Sequence, residues 1–207
     1  MDGECRFNKH ELVCRAGIDA QLEYFANEYP AVKGIRTRLL IGDDHEGWWA
    51  QREGINVPLY IKAALFEKGR IDVEVLGYIE QDIIFKAKRG HAWAKLMHPG
   101  GGTAYATSYA PQKIVESFQG GEKPHMLFIG HFHKFNRDYP REVHVVQTGC
   151  VEDQTPFMRK LKLQAHVGGL IVKFHQADTG EINRFQDEWI PFYDKTFYSG
   201  KRKYRRW

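Results

Sequence analysis

The sequence predicts an α/β fold in which helices cover a sheet. Short apolar runs alternate along the chain with segments of helical periodicity. Their order, strand, loop, helix, strand, is that of a sheet packed under helices. A length of 207 residues, with 43% hydrophobic and 27% charged, suits one globular domain with a sizeable core.

The elements follow in chain order. Ile18, Leu22, Phe25 and Tyr29 recur at i, i+4, i+7 and i+11, which predicts an amphipathic helix over 18–29 that Pro30 ends. RTRLLI (36–41) reads as a strand running into Gly42. PLYIKAALFEKG (58–69) reads as a second helix, with Pro58 in its first turn and Gly69 at its end. VEVLGY (73–78), DIIFKAK (82–88) and AWAKLM (92–97) read as three successive strands. GGGTAY (100–105) interrupts the chain before a helix over 111–118. HMLFIG (125–130), EVHVVQTG (142–149) and GGLIVKF (168–174) are further strands, and EINRFQ (181–186) is a last one. No internal repeat and no low-complexity linker divides them.

Charge and cysteine usage bound the class. The net charge is only +4, so the chain as a whole is no polycation. Its basic excess is local: Lys201, Arg202, Lys203, Arg205 and Arg206 crowd the last seven residues. Cys5, Cys14 and Cys150 form no CxxC pair and no even disulfide framework, which suits a reducing compartment. No apolar stretch approaches the ~18 residues that span a bilayer, and the start, MDGECRFNKHE, carries no signal-peptide apolar region. The expectation is a cytoplasmic protein with no membrane partner.

Polar residues gather where strands end. Gly42-Asp43-Asp44-His45-Glu46 follows RTRLLI, His98-Pro99-Gly100-Gly101-Gly102 follows AWAKLM, and Gly130-His131-Phe132-His133 follows HMLFI. In open α/β sheets, ligands bind outside the carboxyl ends of the strands. Imidazole and carboxylate together suit a divalent cation such as Zn, Mn, Fe or Ni. Each feature also has a plainer reading. The GHFH run can arise by chance among ten histidines. His98 can be a loop or core histidine, the aspartates can cap a helix turn, and Gly100–Gly102 can be a simple turn. The ordered set is what favours ligation. His10, His91, His125, His144, His166 and His175 have no such companions and read as structural or surface residues.

The ordered set resembles the calcineurin-like metallophosphoesterase family, phage and prokaryotic members above all, whose pattern runs D-x-H, GD, GNH(D/E), H and GHxH. GDDHE (42–46), His98 and GHFH (130–133) match the last three of those five motifs. The resemblance implies a layered αββα sandwich, lacking its N-terminal strands, over residues 1–195, followed by a basic tail over 196–207. It implies divalent metal ions (Mn, Zn, Fe or Ni) held by Asp44, His98, His131 and His133. His131 and His133 would each ligate one of two ions, and His98 would join His131 on the second. His45 would be the catalytic histidine, hydrogen-bonding the phosphate and assisting the leaving group. Asp44 stands where the family has Asn and Asp43 where it has Gly. Asp44 still offers an oxygen ligand but adds negative charge.

The seventeen residues before the first helix contain no D-x-H and no GD. The resemblance is therefore to a member that begins after its second motif, with a separate chain or a split gene as the source of the rest. Two functions stay open. One is a metal-dependent hydrolase of phosphate mono- or diesters, with nucleic acid a candidate substrate because FYSGKRKYRRW (197–207) mixes basic and aromatic residues. The other is a non-catalytic remnant or split-protein partner with a partial metal site.

Overall fold

The structure is a computed structural model and describes residues 17–42, 50, 53–102, 104–154 and 156–192. Asp43, Asp44 and His45 lie outside these residues, as do the expected domain boundary at 195/196 and the basic tail.

The first half builds its own core. It comprises α1 (Ile18–Glu28), β1 (Thr37–Ile41), α2 (Val57–Glu67) and β2 (Val73–Tyr78), with β1 and β2 paired in parallel. Val57, Ile61 and Leu65 repeat at i, i+4 and i+8, so α2 buries one stripe; they meet Leu22 of α1 and Ile41 of β1. Asn56 caps α2 by accepting from the Leu59 backbone N–H at 3.2 Å. Gly69 follows the helix at φ 74°, a left-handed conformation open to a residue without Cβ.

Arg70, only 8% exposed, closes the C-terminus of α1. Its Nη1 donates to the carbonyls of Ala26 and Tyr29, each at 2.9 Å, where a helix end leaves acceptors unsatisfied. Its Nε and Nη2 grip Asp72 in a fork at 2.9 Å each. That hydrogen bonding holds the Asp72 carboxyl below the usual range.

The second half is a five-stranded mixed sheet in the order β3-β4-β5-β7-β6. Its members are β3 (Glu80–Lys86), β4 (His91–Met97), β5 (Met126–Ile129), β6 (Phe135–Asp138) and β7 (His144–Thr148). The central three are parallel and the two edges antiparallel. Alternation sorts the side chains to the two faces. Leu127 and Ile129 of β5, with Val143 and Val145, meet Val115 of α3 (Tyr109–Ser117) on one face. The other face receives the hairpin of β8 (Gly168–Gln176) and β9 (Ile182–Pro191). There Phe174 meets Phe85 edge-on with ring centres 4.8 Å apart. Phe185 stacks on His144 and Trp189 on Phe135, both pairs at 4.5 Å. Arg137 of β6 pairs with Asp187 of β9 at 2.6 Å. A short helix, α4 (Pro156–Lys160), lies between β7 and β8.

The fold is thus mixed α/β, with helices against sheet and no barrel among the described residues. It departs from the sequence reading in four places. The three strands expected in succession divide between sheets: β2 pairs with β1, while β3 and β4 form a hairpin in the larger sheet. β6 was hidden because Phe-Asn-Arg-Asp carries no apolar run, and α4 is only five residues long. β9 runs to Pro191 rather than 186, since the carboxylate of Asp187 interrupts its apolar alternation. No helix among the described residues is long and apolar enough to cross a membrane.

Ile79 joins the halves. Its N–H donates to the Ile41 carbonyl at 2.8 Å, and its carbonyl accepts from the His98 N–H at 2.7 Å. It does so at φ 68°, an outlier for a β-branched residue.

Candidate metal centre

Parallel strands in register deliver their following residues to one edge. Met97 of β4 is opposite Ile129 of β5, and Ile129 is opposite Gln147 of β7. His98, the Gly130–His133 run and the loop from Gly149 to Glu152 therefore emerge side by side. The Ile79 bridge brings the end of β1 to the same edge.

The His98 ring packs directly on Gly42. A Cβ at Gly42 would stand 2.7 Å from both Cδ2 and Nε2 of that ring, so only glycine fits. On the Gly130 side, a Cβ would stand 3.5 Å from Nδ1, an ordinary contact. The rings of His98 and His131 have centres 5.1 Å apart at an interplanar angle of 64°. Nε2 of His131 lies 2.7 Å from the Gly101 carbonyl oxygen. A carbonyl only accepts, so Nε2 carries the proton, and in the neutral ring Nδ1, which is buried, holds the lone pair. Such a carbonyl contact is the usual way a ligating imidazole is oriented. The loop of Gly101 is held again where Thr107 O accepts from the buried Gln147 amide at 2.7 Å. Between these ties, a Cβ at Gly100, Gly101 or Gly102 would meet nothing within 4 Å, which leaves the backbone open to approach.

His131 and His133 both take left-handed backbone conformations, at φ 73° and 54°. For residues other than glycine this costs on the order of 1–3 kcal/mol each and recurs at functional sites. The His133 carbonyl accepts from the His166 N–H at 2.8 Å. Nδ1 of His133 lies 3.9 Å from a carboxylate oxygen of Glu152.

His98 and His131 are thus brought together, and His133 faces Glu152. Asp44 and His45 fall outside the described residues, but Gly42, from which the Asp43-Asp44-His45 run departs, touches the His98 ring. Among the described residues no group of three or more His, Cys, Asp or Glu side chains is arranged to hold a metal ion. Two participants escaped the sequence reading. The Gly101 carbonyl has no signature. Glu152 has one: an acidic pair, Glu152-Asp153, soon after the strand 142–149, as Asp43-Asp44 follows the strand 36–41.

Three other histidines hold the fold. Nδ1 of His125 lies 3.3 Å from the Trp93 N–H, and Nδ1 of His166 accepts from that of Phe135 at 2.9 Å. His144 is flanked by Tyr139 and Phe185. Burial pushes the His125 and His144 pKa values down. It pushes the Cys150 thiol up, away from a reactive thiolate.

No model of a known protein family matches the chain, and no curated protein matches it.

Proposed function

We propose that the chain is a metal-dependent phosphoesterase of the layered αββα metallophosphoesterase type, acting on phosphate mono- or diesters. One observation carries the reading: the ends of β1, β4 and β5 meet, with the His98 ring against Gly42 and 5.1 Å from the ring of His131. The donor set suits a divalent cation, because the His98 imidazole packs on the residue that leads into Asp43 and Asp44 and the His131 ring lies beside His98. The glycine at 42 is a cradle that any side chain would fill.

His98, His131 and Asp44 would hold the ion, with His133 on a neighbouring one, as Mn, Zn, Fe or Ni. Such a cation lowers the pKa of its water and polarises a phosphoryl oxygen. His45 would hydrogen-bond the phosphate and give a proton to the departing oxygen. The open Gly100–Gly102 backbone would admit the substrate close to His131. The basic run Lys201–Arg206 suits a nucleic-acid backbone as substrate.

The test is hydrolysis of bis-p-nitrophenyl phosphate with added Mn, Ni or Zn. The chain is assayed alone and mixed with a polypeptide carrying D-x-H and GD motifs. Metal-dependent turnover in either arm is expected, falling about 10²-fold or more in His45→Ala and in His131→Ala. Turnover indifferent to both substitutions refutes the assignment. Bound metal without turnover in either arm leaves a binding protein with a partial site.

A further inference from the structure

We infer that the tip of the loop between β7 and β8 is a docking surface for the phosphate backbone of a nucleic acid, carried by Arg159, Lys160 and Lys162. The inference rests on the phosphoesterase reading and gives it a substrate class, a polymeric diester. Three cations stand within four residues here. All three are exposed, and among the described residues no carboxylate pairs with any of them. By contrast Arg38 meets Glu74, Lys95 meets Asp82 and Arg137 meets Asp187. Cations left free in this way neutralise backbone phosphates, and the counterions so released drive binding.

The tip is built as a fixed turn. Lys162 N–H donates to the Arg159 carbonyl at 3.0 Å and Leu163 N–H to that of Met158 at 2.8 Å, the paired bonds that close a helix in a Schellman turn. The Gln154 amide holds the Leu163 carbonyl at 2.7 Å, and Met158 and Ala165, on either side of the turn in the chain, are buried. Lys162 takes the left-handed position of that turn at φ 58°, where glycine is the usual residue. Attraction to the helix end accounts for Arg159 and Lys160. It does not account for a long cationic side chain at the one position that favours glycine; a contact made by that side chain does. The root of the loop ties the tip to the candidate centre. His166 N–H donates to the His133 carbonyl at 2.8 Å. Leu163 is three residues from His166 and so within roughly 11 Å of it along the chain. The acidic residues of the loop have other partners: Glu152 lies 3.9 Å from His133, and Asp153 accepts from Gln154 N–H at 3.1 Å. Anionic lipid would offer the same charge as a nucleic acid. Within the turn, however, only Leu161 is apolar and exposed, too little to enter a bilayer.

The experiment is the fluorescence anisotropy of a fluorescein-labelled oligothymidylate titrated with the full chain, in EDTA, over a salt series. Each phosphate contact to a single strand contributes about −0.7 to the slope of log affinity against log salt. Arg159→Ala, Lys160→Ala and Lys162→Ala combined should flatten the slope by about 2 and weaken binding about tenfold or more at low salt. Lys162→Gly suits the left-handed backbone and removes one cation without loosening the turn, so its slope should flatten by about 0.7. The control combines Lys86→Ala, Lys88→Ala and Arg89→Ala, in the turn between β3 and β4 at the opposite end of the sheet, and should match wild type. The run Lys201–Arg206 is present in every variant, so the differences report the tip. An unchanged slope in the combined tip variant, or an equal loss in the control, overturns the inference. So does binding of phosphatidylserine vesicles in place of the oligonucleotide. Turnover of bis-p-nitrophenyl phosphate separates this surface from the wider reading. The tip variant should keep it, and its absence from wild type beside an intact slope change refutes the hydrolase while upholding the surface.

Discussion

Replacing Gly42 with alanine probes the closest contact in the candidate centre. The added Cβ would stand 2.7 Å from two atoms of the His98 ring and 2.9 Å from a third. Carbon atoms pack best at roughly 3.5–4.0 Å, so the overlap is about 1 Å. On the other side of the ring Gly130 leaves room, since even a Cβ there would keep an ordinary 3.5 Å contact. The backbone of Gly42 is constrained by the Ile41–Ile79 hydrogen bond just before it. Forcing one methyl into such a contact costs about 1–3 kcal/mol. A 1 Å displacement of a ligand costs about 10²-fold in function. Gly130→Ala is the control, since its Cβ meets the same ring at 3.5 Å. Neither glycine has a left-handed φ, so the comparison is one of space alone. Urea unfolding and Mn²⁺ affinity should show Gly42→Ala impaired in both and Gly130→Ala near wild type. If Gly42→Ala matches wild type in both, or Gly130→Ala is the worse of the two, the packing of His98 on Gly42 is refuted.

Two further predictions concern the scaffold. Arg70→Ala should lower stability by roughly 2 to 3 kcal/mol in urea unfolding, because two helix-end carbonyls and the Asp72 carboxylate lose a charged donor. Arg70→Lys should recover little, since an ammonium cannot fork; full recovery would disprove the capping role. His144 has its pKa lowered below 6.5 by burial first and by nearby Arg137 second. The unfolded chain therefore takes up the proton first as pH falls, so stability is intact above 6.5 and declines below it. His144→Phe keeps the stacking on Tyr139 and Phe185 and should shrink the drop in urea midpoint between about pH 7.5 and pH 5, with His125 supplying the remainder. An unchanged drop would place the pH sensitivity elsewhere.

The elements legible in the sequence were those whose periodicity is local. The stripe of α2 and the apolar runs of β2 and β5 name their own geometry. β6 and the far end of β9 were illegible because they stabilise each other across the layers. Arg137 and Asp187 look like surface charges until the hairpin brings them to 2.6 Å. The split between the two sheets was hidden for the same reason, since β2 chooses β1 through a crossover rather than its neighbour in sequence. Within the candidate centre, glycines and histidines at strand ends were readable as a set. Which imidazole faces which partner was not, because His131 is oriented by a backbone carbonyl and His133 by a loop some nineteen residues further on.

Ile79 is a seam. Each half has its own buried cluster, one around Leu22, Ile61 and Leu65, the other around Val115, Leu127 and Val145. Thermal breathing between two well-packed bodies concentrates where they are joined, and here the join includes a strained peptide bonded to Ile41 on one side and His98 on the other. Gly42 and His98 face each other across this join, so opening there would part them without disturbing either core. Amide hydrogen exchange should register this as faster exchange at Ile79 and His98 than at Ile61 or Leu127.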